Sequence, residues 1–516
     1  MILSAHSMRI TACSLILAGL LFNSLPIAHA TTTSNSIPQY IDEFTVPTLR
    51  AAPLAITVDK YGIVWFTESN MSKLGRFDPS NQSFIEYRVP GVGDMWGVTS
   101  DHEGRIWITQ YAGHGSVNPG GAIVGGGNGR LLIFDPGSEQ FGVINIQTNS
   151  SFPMCITVDS SDRVWFTEFL GNKIGMYDQT SKRLSEYVVP TNESGPADLT
   201  FDKNGALWFT EAYAEKIGEF FPGNQSFKEY QLGSDTPSQI VSSPVGIAVD
   251  SDGTIWVADH GGNWIANFNP TNGMLIHYPT HTPPASVYPI SIPNGLLIDS
   301  QGRVWFCEHG GNSIAYYDPA ERSMVEFPIP SGPIATTLWI ALAPNGDIWF
   351  TEWTANKIGV AYANLPIPFT VHLNANSLAL QEGQATSLTA TVDVLQPIED
   401  NGTWNASWSS YNPSDISATF STQNPSLNSS SITTAQISIS GTAPPGNYTL
   451  SIGLDTSRVR VWAFVSVEVL PVTSENGTYT QFTPTGEVIV LTIALIAVIL
   501  LRRKRLRQLN RDSARS

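Results

Sequence analysis

Short runs of alternating apolar and polar residues fill most of this chain, and one pattern of them recurs. An apolar segment ends in Asp, a tight turn follows, and an aromatic-rich segment closes the unit. The turn-plus-Trp copies read GIVWFTE (62–68), GRIWITQ (104–110), DRVWFTE (162–168), GALWFTE (205–211), GTIWVAD (253–259), GRVWFCE (302–308) and GDIWFTE (346–352). Alternation over a few residues, bounded by Gly, Asn and Asp, predicts strands rather than helices. The tryptophans Trp65, Trp107, Trp165, Trp208, Trp256, Trp305 and Trp349 are 42, 58, 43, 48, 49 and 44 residues apart. A period near 45 suits a four-stranded propeller blade, so seven copies predict seven blades.

Each predicted blade runs a to d. Strand a is typified by Ile56 to Asp59, and strand b is the W-F-T-E segment. Strand c is typified by Asn172 to Asp178, and strand d by Glu186 to Pro190. The seventh repeat has no strand d, whereas an orphan d-like segment, Tyr40 to Pro47, precedes the first repeat. That segment is expected to complete blade seven and remove an open sheet edge. The propeller then occupies 38–365. From 366 to 471 the alternation continues without the repeat, as in SLTATVDV (387–394), and predicts an immunoglobulin-like β-sandwich. A polar stalk, 472–485, follows. The predicted fold is all-β: a seven-bladed β-propeller, then a sandwich, then a C-terminal transmembrane helix.

The two ends carry different patterns. Residues 1–30 read as a signal peptide, with Arg9, an apolar stretch from Ile10 to Phe22, and the small-x-small site Ala28-His29-Ala30. Residues 486–501 are apolar and lead directly into RRKRLR, which predicts one membrane span with the basic tail 502–516 inside and the body outside. Pro484-Thr485-Gly486-Glu487 loosely resembles a surface-sorting motif, so a processed signal is the alternative to a permanent anchor. Ten N-x-S/T sequons, at Asn70, Asn81, Asn149, Asn192, Asn224, Asn401, Asn405, Asn428, Asn447 and Asn476, suggest a glycosylated exterior. The expected location is the cell membrane, single-pass, with the bulk of a monomeric chain extracellular.

Charge narrows the partners. The net charge is −17 and the tail contributes +6, so the remainder carries about −23. Such a body repels phosphate backbones and makes nucleic acid an unsuitable partner. Three cysteines, Cys13, Cys155 and Cys307, lack the spacing of a zinc site or a disulfide framework, and inert buried thiols are expected.

The repeated P-x-G-I…W-F-T-E…N-K-I-G pattern resembles the streptogramin B lyases, the virginiamycin B lyase type of propeller, over about 38–362. WITQ (107–110), MCITVDSSDRVWFTE (154–168) and FTEWTANKIG (350–359) carry the resemblance, with blade one here matching the family's last blade. It implies metal-assisted elimination, with Mg²⁺, that opens a cyclic depsipeptide at its ester. It also implies histidines early in strand a of two adjacent blades, an acidic residue just before one of them, and the Glu ending strand b of that blade. The histidine positions fall at Leu54 and Leu338 and the acidic one at Ala52; Glu68, the one implied metal-site residue, matches. A leucine neither accepts a proton nor binds a metal. The same slot holds Trp96, Met154, Ala197, Val245 and Asn294 in the other blades.

Other candidates come from the residues themselves. Glu68, Gln110, Glu168, Glu211, Asp259, Glu308 and Glu352 end the b strands on the face where strand a begins. They either accept backbone hydrogen bonds or form a carboxylate ring for a cation. Blades five and six read Asp259-His260-Gly261-Gly262-Asn263 and Glu308-His309-Gly310-Gly311-Asn312, placing His260, His309, Glu308 and Asp259 in matching register for acid–base work or metal binding. A loop variant copied between neighbouring repeats accounts for the same pattern. A Gly-rich insertion, Tyr111 to Arg130, brings His114 to the same face; Trp96, Asn294, Gln110, His114 and Glu352 are the candidate binding residues. Two functions stay open. One is a binding module for a small molecule, glycan or surface protein. The other is a metal-assisted lyase or hydrolase acting on a cyclic depsipeptide or lactone ester. The residues themselves fix no cofactor.

Overall fold

A computed structural model describes residues 37–471 apart from 112–115, 118–122, 125–127, 233–242, 262, 282–290, 333–334 and 409–414. Among the described residues all regular structure is strand, save one 3₁₀ turn at Ser69–Met71. The repeat forms a series of four-stranded antiparallel sheets. Blade one comprises Pro53–Val58, Val64–Glu68, Lys73–Asp78 and Ser83–Arg88, and blade three Pro153–Val158, Val164–Glu168, Lys173–Asp178 and Arg183–Val188. The a strands contact one another in turn, and the seventh, Ile340–Leu342, returns to the first, which closes the ring. Ile41–Thr45 pairs antiparallel with Lys357–Ala361, Phe44 facing Ile358, and so supplies the fourth strand of blade seven.

The recurring letters have specific jobs. In four blades the Asp ending strand a accepts the indole N–H of the Trp six residues on, at 2.8–2.9 Å: Asp59–Trp65, Asp101–Trp107, Asp159–Trp165 and Asp299–Trp305. Its other oxygen takes turn N–H groups, as Asp159 does from Ser161 and Arg163. The Phe of W-F-T-E lies across the Gly of K-I-G; a Cβ on Gly175 would sit 2.1 Å from the Phe166 ring, so only glycine fits. The Thr accepts an N–H from its own strand a and donates to a carbonyl of the next blade. Thr67 thus joins Ala55 to Met95, and Thr167 joins Cys155 to Ala197. Rings from adjacent blades fill the seams, as where Trp65 meets Phe134 at 5.8 Å.

Beyond the propeller, Phe369–Leu373, Ala385–Val394, Ser431–Ile439 and Ile416–Phe420 form one sheet. Thr403–Trp408, Gly446–Asp455, Arg460–Leu470 and Ser377–Gln381 form another, and the two share one core through residues such as Val392, Ile437, Ile452 and Val465. The junction between propeller and second domain has no counterpart in the sequence pattern. Arg460–Leu470 also pairs with Ser323–Pro328, the outermost strand of blade six, so blade and second domain form one continuous sheet. Trp462 and Phe464 pack beside Tyr317 and Met324 in that seam.

No helix among the described residues is long and apolar enough to cross a membrane. The expected signal peptide (1–30), stalk, span (486–501) and tail lie outside the described residues.

Candidate functional site

The b-strand carboxyls were the first candidates. Glu68, Glu168, Glu211, Glu308 and Glu352 are all wholly buried, and no backbone N–H reaches them, contrary to the expectation that they accept backbone hydrogen bonds. Each faces a second glutamate on strand d. Burial and then the neighbouring Glu86 push Glu68 up to about 8; Glu186 acts likewise on Glu168, and Glu43 on Glu352. The strand-d partner is the ionised member. Glu86 accepts from Lys73 Nζ at 2.7 Å and from the backbone N–H of Thr48 at 3.0 Å; Glu186 is held likewise by Lys173 and Thr148. Two carboxyls and one lysine leave one proton shared, the ordinary outcome for buried like charges. In blade two the acid is replaced by Gln110, whose carbonyl accepts from Arg130 Nε at 2.6 Å. Among the described residues no group of three or more His, Cys, Asp or Glu is arranged to hold a metal ion.

Blade six differs. Ser313 stands where blades one, three, four and seven have lysine, and its Glu326 instead takes Arg460 of the second domain at 3.2 Å. Burial, then Glu326, raises Glu308 well above the usual carboxylate range. Glu308 therefore faces this seam.

The two histidines do meet. The rings of His260 and His309 lie 5.8 Å apart and nearly perpendicular. Burial lowers His260, and burial together with His260 lowers His309 to about 4, so both are neutral imidazoles at pH 7. Asp259 accepts backbone N–H bonds from Ser243 and Gly261 at 2.8 and 2.9 Å. The structure thus brings the two imidazoles together. Asn294 is buried, and its Oδ1 accepts from the next backbone N–H, that of Gly295. His114 lies outside the described residues.

Trp96 occupies a different place, on the wall of a cavity of about 200 Å³ where the a strands converge. The position after the strand-a slot rings this channel. It is Ala55, Gly97, Cys155, Gly246 or Gly295 in five blades, Asp198 in the fourth and Trp339 in the seventh. Small residues opposite leave room for the Trp339 indole, which packs against hydrophobic clusters of several blades. Asp198 and Trp339 were not singled out from the sequence. Aligning the repeats one residue beyond the slot would have exposed both as departures from a small-residue column.

Residues 128–372 match the virginiamycin B lyase family. Among solved structures, a streptogramin B lyase is 25% identical with TM-score 0.53, covering 63% of this chain and 97% of that one. The virginiamycin B lyase of Staphylococcus aureus gives 23% and 0.52, covering 62% and 99%; a catalytically inactive variant of that enzyme with quinupristin gives 24% and 0.52, covering 62% and 98%. The propeller is virginiamycin B lyase-like. Sequence comparison with curated proteins gives no match.

Within a virginiamycin B lyase-like propeller, the two slots assigned to histidine by resemblance hold buried Leu54, in the first a strand, and Leu338, two residues before the seventh, and those strands touch. The Leu54 carbonyl accepts from Thr351, which binds blade seven to blade one. Ala52, at the acidic position, has a left-handed φ of 53° and carries no functional group. Glu68, the matching residue, is buried beside Glu86. Alkyl side chains here provide no group to take a proton or hold a cation.

Proposed function

We propose that this protein is a cell-surface recognition propeller rather than a working streptogramin lyase. In this reading the chain is exported, glycosylated and held by one C-terminal helix. The immunoglobulin-like second domain spaces the propeller from the membrane, and the loop-rich face takes a small molecule, glycan or surface protein. The observation that carries the reading is the pair Leu54 and Leu338, buried where the family resemblance calls for its bases. Removing a proton beside a carbonyl needs a base within hydrogen-bond reach. The test is incubation of the purified protein with quinupristin and Mg²⁺, followed by mass spectrometry. The cyclic ester is expected to stay intact; hydrolytic or eliminative opening above the no-protein control overturns the reading.

A second reading, a metal-assisted lyase or hydrolase, draws on the His260–His309 pair. Two neutral imidazoles at this spacing suit a borderline metal such as Zn²⁺ better than Mg²⁺, which prefers oxygen ligands. If cleavage is found, its loss in both His260→Ala and His309→Ala would place the chemistry there.

A further inference from the structure

The central cavity plays no part in the reading above, yet it contains an unusual set of groups. Asp198 is the one acid in the small-residue ring around the channel. Its Oδ1 accepts the Leu199 N–H at 2.9 Å and its Oδ2 the Ile247 N–H at 3.1 Å. The Cys155 thiol lies beside it, and burial holds the acid up at about 7. Among the described residues lining the cavity there is no Lys, Arg or His. The carboxyl, half-buried on the cavity wall, therefore has no counter-charge there, an arrangement that a bound cation relieves.

The rest of the wall decides which cation. Two indoles, Trp96 and Trp339, and aliphatic side chains such as Leu199 and Ile247 stand in it, within a surface that is more polar than apolar. Among the described residues no three His, Cys, Asp or Glu side chains converge there to hold a metal ion. A carbon-borne charge fits better. Its charge meets the carboxylate, its carbon atoms pack on the two indoles, and indole rings attract cations. About 200 Å³ holds only a small molecule. The strongly acidic body raises the local concentration of cations at the channel mouth. We infer that the central cavity binds a small organic ammonium ion, with its charge against Asp198 and its carbon frame between Trp96 and Trp339. This site is independent of whatever the outer face recognises and of any ester cleavage.

Isothermal titration of the full-length protein at pH 8 with choline and with tetramethylammonium tests this, with 3,3-dimethylbutan-1-ol as the neutral isostere of choline. The cations are expected to bind one per chain and the isostere at least about tenfold more weakly. Affinity for choline should fall about tenfold between pH 8 and pH 6 as Asp198 takes its proton. Asp198→Asn should weaken choline at least about tenfold and abolish that pH dependence. Trp96→Leu should weaken it while keeping the pH dependence, a comparison that stands even if the Asp198 variant folds poorly. No binding of either cation, equal binding of the isostere, or affinity rising toward low pH overturns the proposal.

Discussion

Arg460 offers a sharp test of how the propeller and the second domain are joined. Its Nη1 donates to Glu326 Oε2 at 3.2 Å and to Ser313 Oγ at 3.1 Å. The guanidinium is 12% exposed and Glu326 not at all. In blade one the equivalent cation is Lys73, two residues before the glycine that pairs with Glu86; in blade six Ser313 stands two residues before Ala315, which pairs with Glu326. The second domain has replaced a blade lysine with an arginine of its own.

Arg460→Met keeps the aliphatic stem and removes both bonds. A hydrogen bond to a charged group is worth about 1.5–3 kcal/mol and a neutral one about 1 kcal/mol, which gives roughly 3 kcal/mol, at the low end of what breaking a buried ion pair costs. For a protein of this size that is a fall in Tm of about 3 °C. The loss should be largest at pH 8. Burial, only partly offset by Arg460, holds Glu326 near 7, so at pH 6 it already carries a proton and depends less on the arginine. Thermal melts at both pH values, followed by tryptophan fluorescence, measure this. The decisive variant is Ser313→Lys combined with Arg460→Met, which restores a lysine at the blade register and should recover at least half of the loss. An unchanged Tm in Arg460→Met at pH 8, or no rescue by lysine, would refute the reasoning.

Three further outcomes are expected. The raised carboxyls of Glu68, Glu168 and Glu352 hold protons that the unfolded chain releases above about 4.5, so stability should fall as pH rises from there to about 8 and then level off; Glu168→Gln should flatten part of that slope in a Tm series. Asp159→Ala strips the Trp165 indole and two turn N–H groups of their acceptor, and should cost about 2–4 kcal/mol in urea denaturation, where a loss under about 0.5 kcal/mol would contradict the role given to this aspartate. Deleting 38–47 removes the strand that pairs with Lys357–Ala361 and should lower Tm sharply; an unchanged melt would mean that the ring does not depend on this closure.

The repeat made the blades legible because each of its letters answers a local geometric demand. An Asp six residues before a Trp is an indole acceptor, and a Gly opposite a Phe is room for a ring. Such demands are satisfied within one blade or across one seam, so they reappear in sequence at a fixed period. Ring closure was legible for the same reason, since Ile41–Thr45 keeps the d-strand letters although the rest of its blade lies at the other end of the propeller. The continuous sheet between Ser323–Pro328 and Arg460–Leu470 was not, because it pairs a repeat with a segment that has no period. Its one signal was negative: Ser313 where a lysine belongs.

The same logic locates the chemistry. A residue that follows the repeat is explained by the blade, so the b-strand glutamates, present in most blades, proved to be buried partners of a second glutamate. Residues that break the repeat have no such explanation. Arg460 and Ser313 break it and form a domain seam; His260 and His309 break it and meet across a blade boundary. Asp198 and Trp339 break the small-residue column around the channel and place an acid and an indole on one cavity wall. Asp198 ties blade four to blade five through the Ile247 N–H, and loss of solvent around it holds it up at about 7. Neutral oxygens accept such backbone bonds as well, so the charge at Asp198 is what a ligand accounts for and the fold does not.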